Sequence, residues 1–144
     1  MTGARTSHSH PLQIAAVRAS DSHGRIGITF CPGKHDQWAA TGAWARDLGV
    51  DLDAIVAWGA SMVLTLVEPA ELLSLRVPKL GQEVHRRGLL WCHLPIADFS
   101  VPCDDFERKW LTHGHEIRSL LRAGEDVLVH CKRSEERRVG KVSS

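Results

Sequence analysis

Short runs of aliphatic and β-branched residues, each closed by glycine or a polar cluster, alternate along this chain with stretches whose apolar positions recur at helical spacing. Residues 14–17 and 26–30 read as two strands joined across Ser20-Asp21-Ser22-His23-Gly24, the composition of a turn or hairpin. Asp36 is placed to cap a helix that runs to Leu48, buries Trp38, Trp44 and Leu48, and stops at Gly49. Asp51 is placed to cap a second helix ending near Gly59. Residues 62–67 read as a buried strand, 69–75 and 80–87 as helices, and Gly88 as the stop before another buried strand at 89–93. A loop covers 95–102. From 103 to 123, Phe106, Trp110, Ile117, Leu120 and Leu121 recur at helical spacing; acids crowd the first turn, Gly114 weakens the helix locally, and Gly124 ends it. Asp126 then opens the run Val127-Leu128-Val129, short enough for a buried parallel strand, which delivers His130 and Cys131.

Strand and helix in alternation predict an α/β fold with a mostly parallel central sheet and helices on both of its faces. No internal repeat is visible. Open sheets of this kind place ligand sites at the C-terminal edges of their strands, which is where Cys131 stands.

Composition narrows the class. With 144 residues, 43% of them hydrophobic, the chain fits one domain able to bury a core. Its expected organisation is a flexible lead (1–11), one domain (12–137) and a tail (138–144). The net charge of +1, with basic residues scattered until the last dozen, gives no reason to expect a nucleic-acid or membrane-surface partner. No stretch has the length of a membrane span, and residues 1–9 are polar with no apolar signal core, so a cytoplasmic location is expected. The four cysteines, Cys31, Cys92, Cys103 and Cys131, contain no C-x-x-C pair, which argues against structural zinc or a disulfide framework. Reduced thiols without metal or cofactor are the expectation. The pairs His8-x-His10 and His113-x-His115 do not change it: the first lies in the lead, and on a helix positions i and i+2 face apart. The five tryptophans read as packing residues.

A phosphoester resists attack because its own charge repels nucleophiles, so its hydrolysis calls for a thiolate, a cage of donors and an acid for the leaving group. Cys131 is the candidate nucleophile, its pKa lowered by loop N–H groups, a helix N-terminus and a nearby cation. Arg137, six positions on, has the planar fork that grips two phosphate oxygens. Asp98, on the 95–102 loop after a strand expected to neighbour that of Cys131, can protonate the leaving oxygen. His130 orients the loop, and Lys132 stands beside it among the substrate-binding candidates.

These residues resemble the cysteine-dependent protein tyrosine phosphatase superfamily, whose signature is His-Cys, five residues, Arg, then Ser or Thr. A narrower likeness rests on Ile26-Gly27-Ile28-Thr29-Phe30-Cys31-Pro32-Gly33-Lys34, on residues 53–68 with Ala57-Trp58-Gly59-Ala60, on Trp91-x-His93-Leu94-Pro95-Ile96-x-Asp98, and on Val127-Leu128-Val129-His130-Cys131-Lys132. Together they resemble the cyclin-dependent kinase inhibitor 3-like, kinase-associated dual-specificity phosphatase family over roughly residues 12–132. The resemblance implies a phosphatase acting on a phosphorylated protein or small phosphoester, with Cys131 as nucleophile, Asp98 as acid and Arg137 as phosphate ligand. It also implies a phosphocysteine intermediate and no metal.

After Lys132 the chain departs from that pattern. No glycine lies between Cys131 and Arg137, although a loop that turns its N–H groups toward one anion usually needs positive φ. Glu135 and Glu136 put negative charge beside the seat of a dianion, weakening phosphate binding and raising the thiol pKa. Arg138 stands where the family has Ser or Thr. Seven residues follow Arg137, fewer than the about 11 or 12 of a mean helix, so the helix behind the loop is expected to be missing and the domain incomplete. The run 133–141 resembles a translated sequencing adapter and is expected to be foreign to the native chain. Two other readings therefore stand beside the phosphatase: a catalytically silent phosphatase-like fragment that binds phosphorylated partners, and a rhodanese-type sulfurtransferase.

Overall fold

The computed structural model describes residues 6–18, 20–36, 44–95 and 104–131. Five strands form the central sheet: β1 (Ala15–Arg18), β2 (Arg25–Thr29), β5 (Ala60–Thr65), β6 (Leu90–His93) and β7 (Asp126–His130), in the order β1-β2-β7-β5-β6. A separate two-stranded ribbon pairs β3 (His35–Asp36) with β4 (Trp44–Ala45). The helices are α1 (Leu48–Trp58), α2 (Pro69–Ser74), α3 (Leu80–Arg86) and α4 (Asp104–Arg122). Strands β2, β7, β5 and β6 run parallel, and β1 joins β2 antiparallel across the 20–24 turn, so the mixed α/β expectation holds. Among the described residues, no helix is long and apolar enough to cross a membrane.

The last strand in sequence among the described residues fills the middle of the sheet. β7 slots between β2 and β5 and is covered on both sides, with Val127 and Leu128 fully buried. Such two-faced burial explains why its sequence is a continuous apolar run rather than an alternating one. One core layer sets Leu52 and Ile55 of α1, Leu72 of α2, and Leu80 and Val84 of α3 against Val63 and Leu128. The other sets Ile117 of α4 against Met62, Leu64, Val127 and Val129. Helices therefore cover both faces.

Several local expectations shift. Residues 36–48 are not a helix where described: Asp36 belongs to β3 and Trp44 to β4, and the cap of α1 is Asp47. The Asp47 side chain accepts a hydrogen bond from the Val50 N–H at 2.9 Å. Asp51, the expected cap, lies inside α1, where its carboxylate is taken by Arg46 and the Gly33 N–H. Gly49 does not stop a helix but sits in the first turn of α1, and Gly59, in the left-handed region at φ 105°, ends it as expected. β6, expected to be buried, pairs among the described residues with β5 alone and leaves Leu90 exposed. Near the start of the chain, Ser7 is buried and its hydroxyl accepts from the Asp47 N–H at 2.8 Å.

Candidate active site

Each of the four parallel strands ends in a polar residue, and the register sets these ends in a row. Thr29 pairs with His130, His130 with Thr65, and Thr65 with His93. Thr29, His130 and Thr65 are almost wholly buried, so the hydrophobic core finishes in a buried polar layer at the C-terminal edge of the sheet. Cys131 is the next residue beyond that layer on the central strand, itself buried.

Buried polar groups need partners, and this row finds them nearby for all but His130 Nδ1, which has none among the described residues. Thr29 Oγ1 donates to the Gln13 carbonyl at 2.7 Å. Thr65 Oγ1 lies 2.8 Å from His130 Nε2 and receives the Trp91 indole N–H, also at 2.8 Å. His93 stacks on Trp91 with ring centroids 5.0 Å apart, and its Nε2 lies 2.6 Å from the Val67 carbonyl. Trp91 can reach Thr65 because α3 presents Gly81 under its ring; an added Cβ there lies 2.4 Å from the indole. Burial drives the His130 pKa down to about 3; the Cys131 main chain opposes the shift and His93 adds to it. The imidazole is therefore neutral at ordinary pH.

On the other side of β7, the loop after β2 and the entry to α1 bring together a buried basic cluster. Lys34 and Arg46 both lie over the Phe30 ring, 5.0 Å and 4.8 Å from its centroid. Arg46 grips Asp51 with two nearly parallel bonds, Nε to Oδ2 at 2.8 Å and Nη2 to Oδ1 at 3.0 Å, and Asp51 Oδ2 also accepts the Gly33 N–H at 2.8 Å. Gly33 is held at φ 72°, and a Cβ on it meets the Leu48 backbone at 2.7 Å, so both its conformation and its contact require glycine. The clamp fixes the 31–34 loop beside the end of β7.

Cys31, in that loop, is fully buried. Burial pushes its thiol pKa far up; Lys34 lowers it in part, while Cys131 raises it further. Cys92 is pushed to about 11 by burial, with Glu116 adding to the rise. None of the three described cysteines is in a disulfide. Among the described residues, no group of three His, Cys, Asp or Glu side chains is placed to hold a metal ion.

Of the residues singled out in the sequence, His130 and Cys131 stand together at the end of β7, while Asp98, Lys132, Arg137 and Cys103 lie outside the described residues. The strand before the Asp98 loop is β6, and it does not neighbour β7: β5 lies between them. Sequence reading missed Thr29, Thr65, Trp91, His93 and the Arg46–Asp51 clamp. A signal for Thr29, Thr65 and His93 was present, since each parallel run closes on Thr or His: Ile-Gly-Ile-Thr, Met-Val-Leu-Thr, Leu-Trp-Cys-His and Val-Leu-Val-His.

The chain is an α/β fold in which Cys131 directly follows the central strand of a five-stranded sheet with helices on both faces. A solved structure with this fold is kinase associated phosphatase, determined with its catalytic-site cysteine substituted by serine. The two chains superpose with a TM-score of 0.74 at 20% identity, covering 87% of this chain and 67% of that one. The likeness is one of fold. No protein-family model matches the sequence, and no curated protein matches it.

Proposed function

We propose that this chain is a phosphoric monoester hydrolase of the protein tyrosine or dual-specificity type, working through Cys131. The observation that carries the reading is the position of Cys131, one residue past the central strand of a sheet whose fold is shared with a phosphatase. In the proposed reaction the Cys131 thiolate attacks phosphorus, forming an S–P bond as the P–O bond to the leaving group breaks. Asp98 gives that oxygen its proton. Water then attacks the phosphocysteine, Asp98 takes the proton from the water, and inorganic phosphate leaves with the thiolate restored. Arg137 forks two phosphate oxygens, with Lys132 and His130 beside them. The substrate is a phosphorylated protein or a small phosphoester. The roles of Asp98, Lys132 and Arg137 rest on the sequence pattern.

Glu135 and Glu136, and the lack of glycine between Cys131 and Arg137, favour a second reading in which the chain as written has the fold but little turnover. Hydrolysis of an aryl phosphate separates the two. The chain as written is compared with Cys131→Ser and with a version whose residues after Lys132 are replaced by a glycine-rich loop and helix. Turnover by the chain as written that is lost in Cys131→Ser supports the phosphatase. Turnover only in the repaired version supports the silent fragment. Silence in both, with persulfide formed from thiosulfate, moves the assignment to a sulfurtransferase.

A further inference from the structure

The geometry points to a second binding site on this chain: the cleft between the first turns of α1 and α3, with Arg76 and Lys79 at its rim, takes an acidic segment of the phosphorylated protein on which Cys131 acts. The inference rests on the phosphatase reading and names its substrate class, a polypeptide rather than a small phosphoester.

Arg76 occupies a position where the backbone favours glycine. Helix α2 ends in a paired turn: the Arg76 N–H donates to the Leu73 carbonyl at 3.0 Å, and the Val77 N–H to the Leu72 carbonyl at 2.8 Å. That ending sets the residue after the cap in the left-handed region, and glycine usually supplies it. Here it is arginine, at φ 63°, the one non-glycine residue with positive φ among the described residues. A side chain there costs free energy that glycine does not, and such outliers gather at ligand sites.

Arg76 also lines an open cleft of about 300 Å³, in which Leu48, Val77 and Pro78 supply the apolar wall and Lys79 and Glu83 the other charges. The acids nearby are already engaged. Glu83 is held by Arg86 and Arg87, each at 3.1 Å, and Arg87 also bonds Asp53 at 3.0 Å. Asp47 caps α1. Arg76 and Lys79 are exposed and make no ion pair among the described residues. An apolar wall rimmed by two available cations complements a segment in which carboxylates alternate with apolar side chains.

The cleft stands at the reactive end of the sheet. α1 leads back to the start of β5 and α3 to the start of β6, both parallel to β7, so the first turns of these helices lie toward the end at which Cys131 emerges. The loop after β2 joins the two places. Its Gly33 packs so closely on Leu48 that a Cβ would lie 2.7 Å from the Leu48 backbone, and the His35 N–H donates to the Leu75 carbonyl at 2.9 Å. A polypeptide with its phosphorylated residue at Cys131 can cross that loop into the cleft.

The test is fluorescence anisotropy of a short labelled peptide alternating glutamate and leucine, titrated with the full chain, beside the same peptide with lysine in place of glutamate. The wild-type protein is expected to bind the glutamate peptide and not the lysine peptide, with affinity falling as salt is added. Arg76→Gly and Lys79→Ala are each expected to weaken binding several-fold, and together to abolish it. Arg76→Gly relieves the backbone, so it is expected to unfold at no lower a temperature than wild type. No binding by the wild-type protein overturns the proposal, as does binding that neither variant weakens. Inorganic phosphate that displaces the peptide at matched concentration makes the cleft a general anion site, and self-association that the peptide reverses assigns it to a second copy; either result overturns the proposal. Binding that depends on Arg76 and Lys79, in a chain without aryl phosphate turnover, supports the docking site and counts against the phosphatase reading alone.

Discussion

The Arg46 guanidinium forks the Asp51 carboxylate through two hydrogen bonds, with both side chains out of solvent and the Gly33 N–H bonding the same acid. One ion pair thereby ties three segments: the loop after β2, the entry to α1 and α1 itself. Removing one partner leaves the other charge buried and uncompensated, which costs far more than the net worth of the pair. Arg46→Met and Asp51→Asn are each expected to lose about 3–5 kcal/mol of unfolding free energy, with the double variant losing less than the sum. Urea denaturation measures this, and single losses below about 1 kcal/mol, the range of exposed pairs, contradict it.

Acid destabilises this fold through His130. The unfolded chain binds a proton on this imidazole near its ordinary pKa of 6.5, whereas the folded protein excludes it until about 3. In that window the unfolded state holds more protons, so stability is full above 6.5 and is lost as pH falls toward 3, by up to about 1.4 kcal/mol per pH unit. The His130→Gln variant is expected to lose most of that slope. Parallel stability curves for the two proteins between pH 6 and 4 contradict the assignment.

Gly81 and Trp91 share a space with no room for a methyl group. Gly81→Ala puts its Cβ about 2.4 Å from the indole ring, a contact that something must relieve. Trp91 is expected to move off Thr65 at a cost of about 1–3 kcal/mol, as for other overpacked cores. Thermal unfolding reads the loss, and the indole N–H resonance of Trp91 reads the broken bond. An unchanged resonance argues against the contact.

Two of the buried thiols lie inside the core and are expected to be inert to reagents. Burial pushes the Cys31 and Cys92 thiols well above their ordinary pKa, and both sit within the two core layers. In native protein at pH 7.5 both are expected to resist iodoacetamide while unfolded protein labels fully, since the thiolate is the reacting species. Peptide mapping of labelled sites checks this. Rapid native labelling of Cys31 contradicts its placement.

Much of the architecture was legible where a signal is local and strong. The apolar run 127–129 and the glycine at 124 placed β7 within a residue, and Pro69, Gly59 and Gly88 placed three helix ends. The reading failed at 36–48, where two aspartates, Asp36 and Asp51, carry the same capping signature as the true cap, Asp47. Asp51 is held inward by the buried guanidinium of Arg46 together with the Gly33 N–H, and Gly33 belongs to a different segment of chain.

By itself the sequence determined the alternation of strands and helices, the parallel sheet and the arrival of Cys131 at a strand end, because these follow from periodicity and backbone preference within a dozen residues. The tertiary structure alone decided the order of the strands, placing β7 between β2 and β5 and removing β6 from its side. From that order comes the polar row of Thr29, His130, Thr65 and His93, residues some 28 to 101 positions apart in the chain. Strand register is a long-range choice, fixed by which apolar faces can be buried together, and no local pattern encodes it.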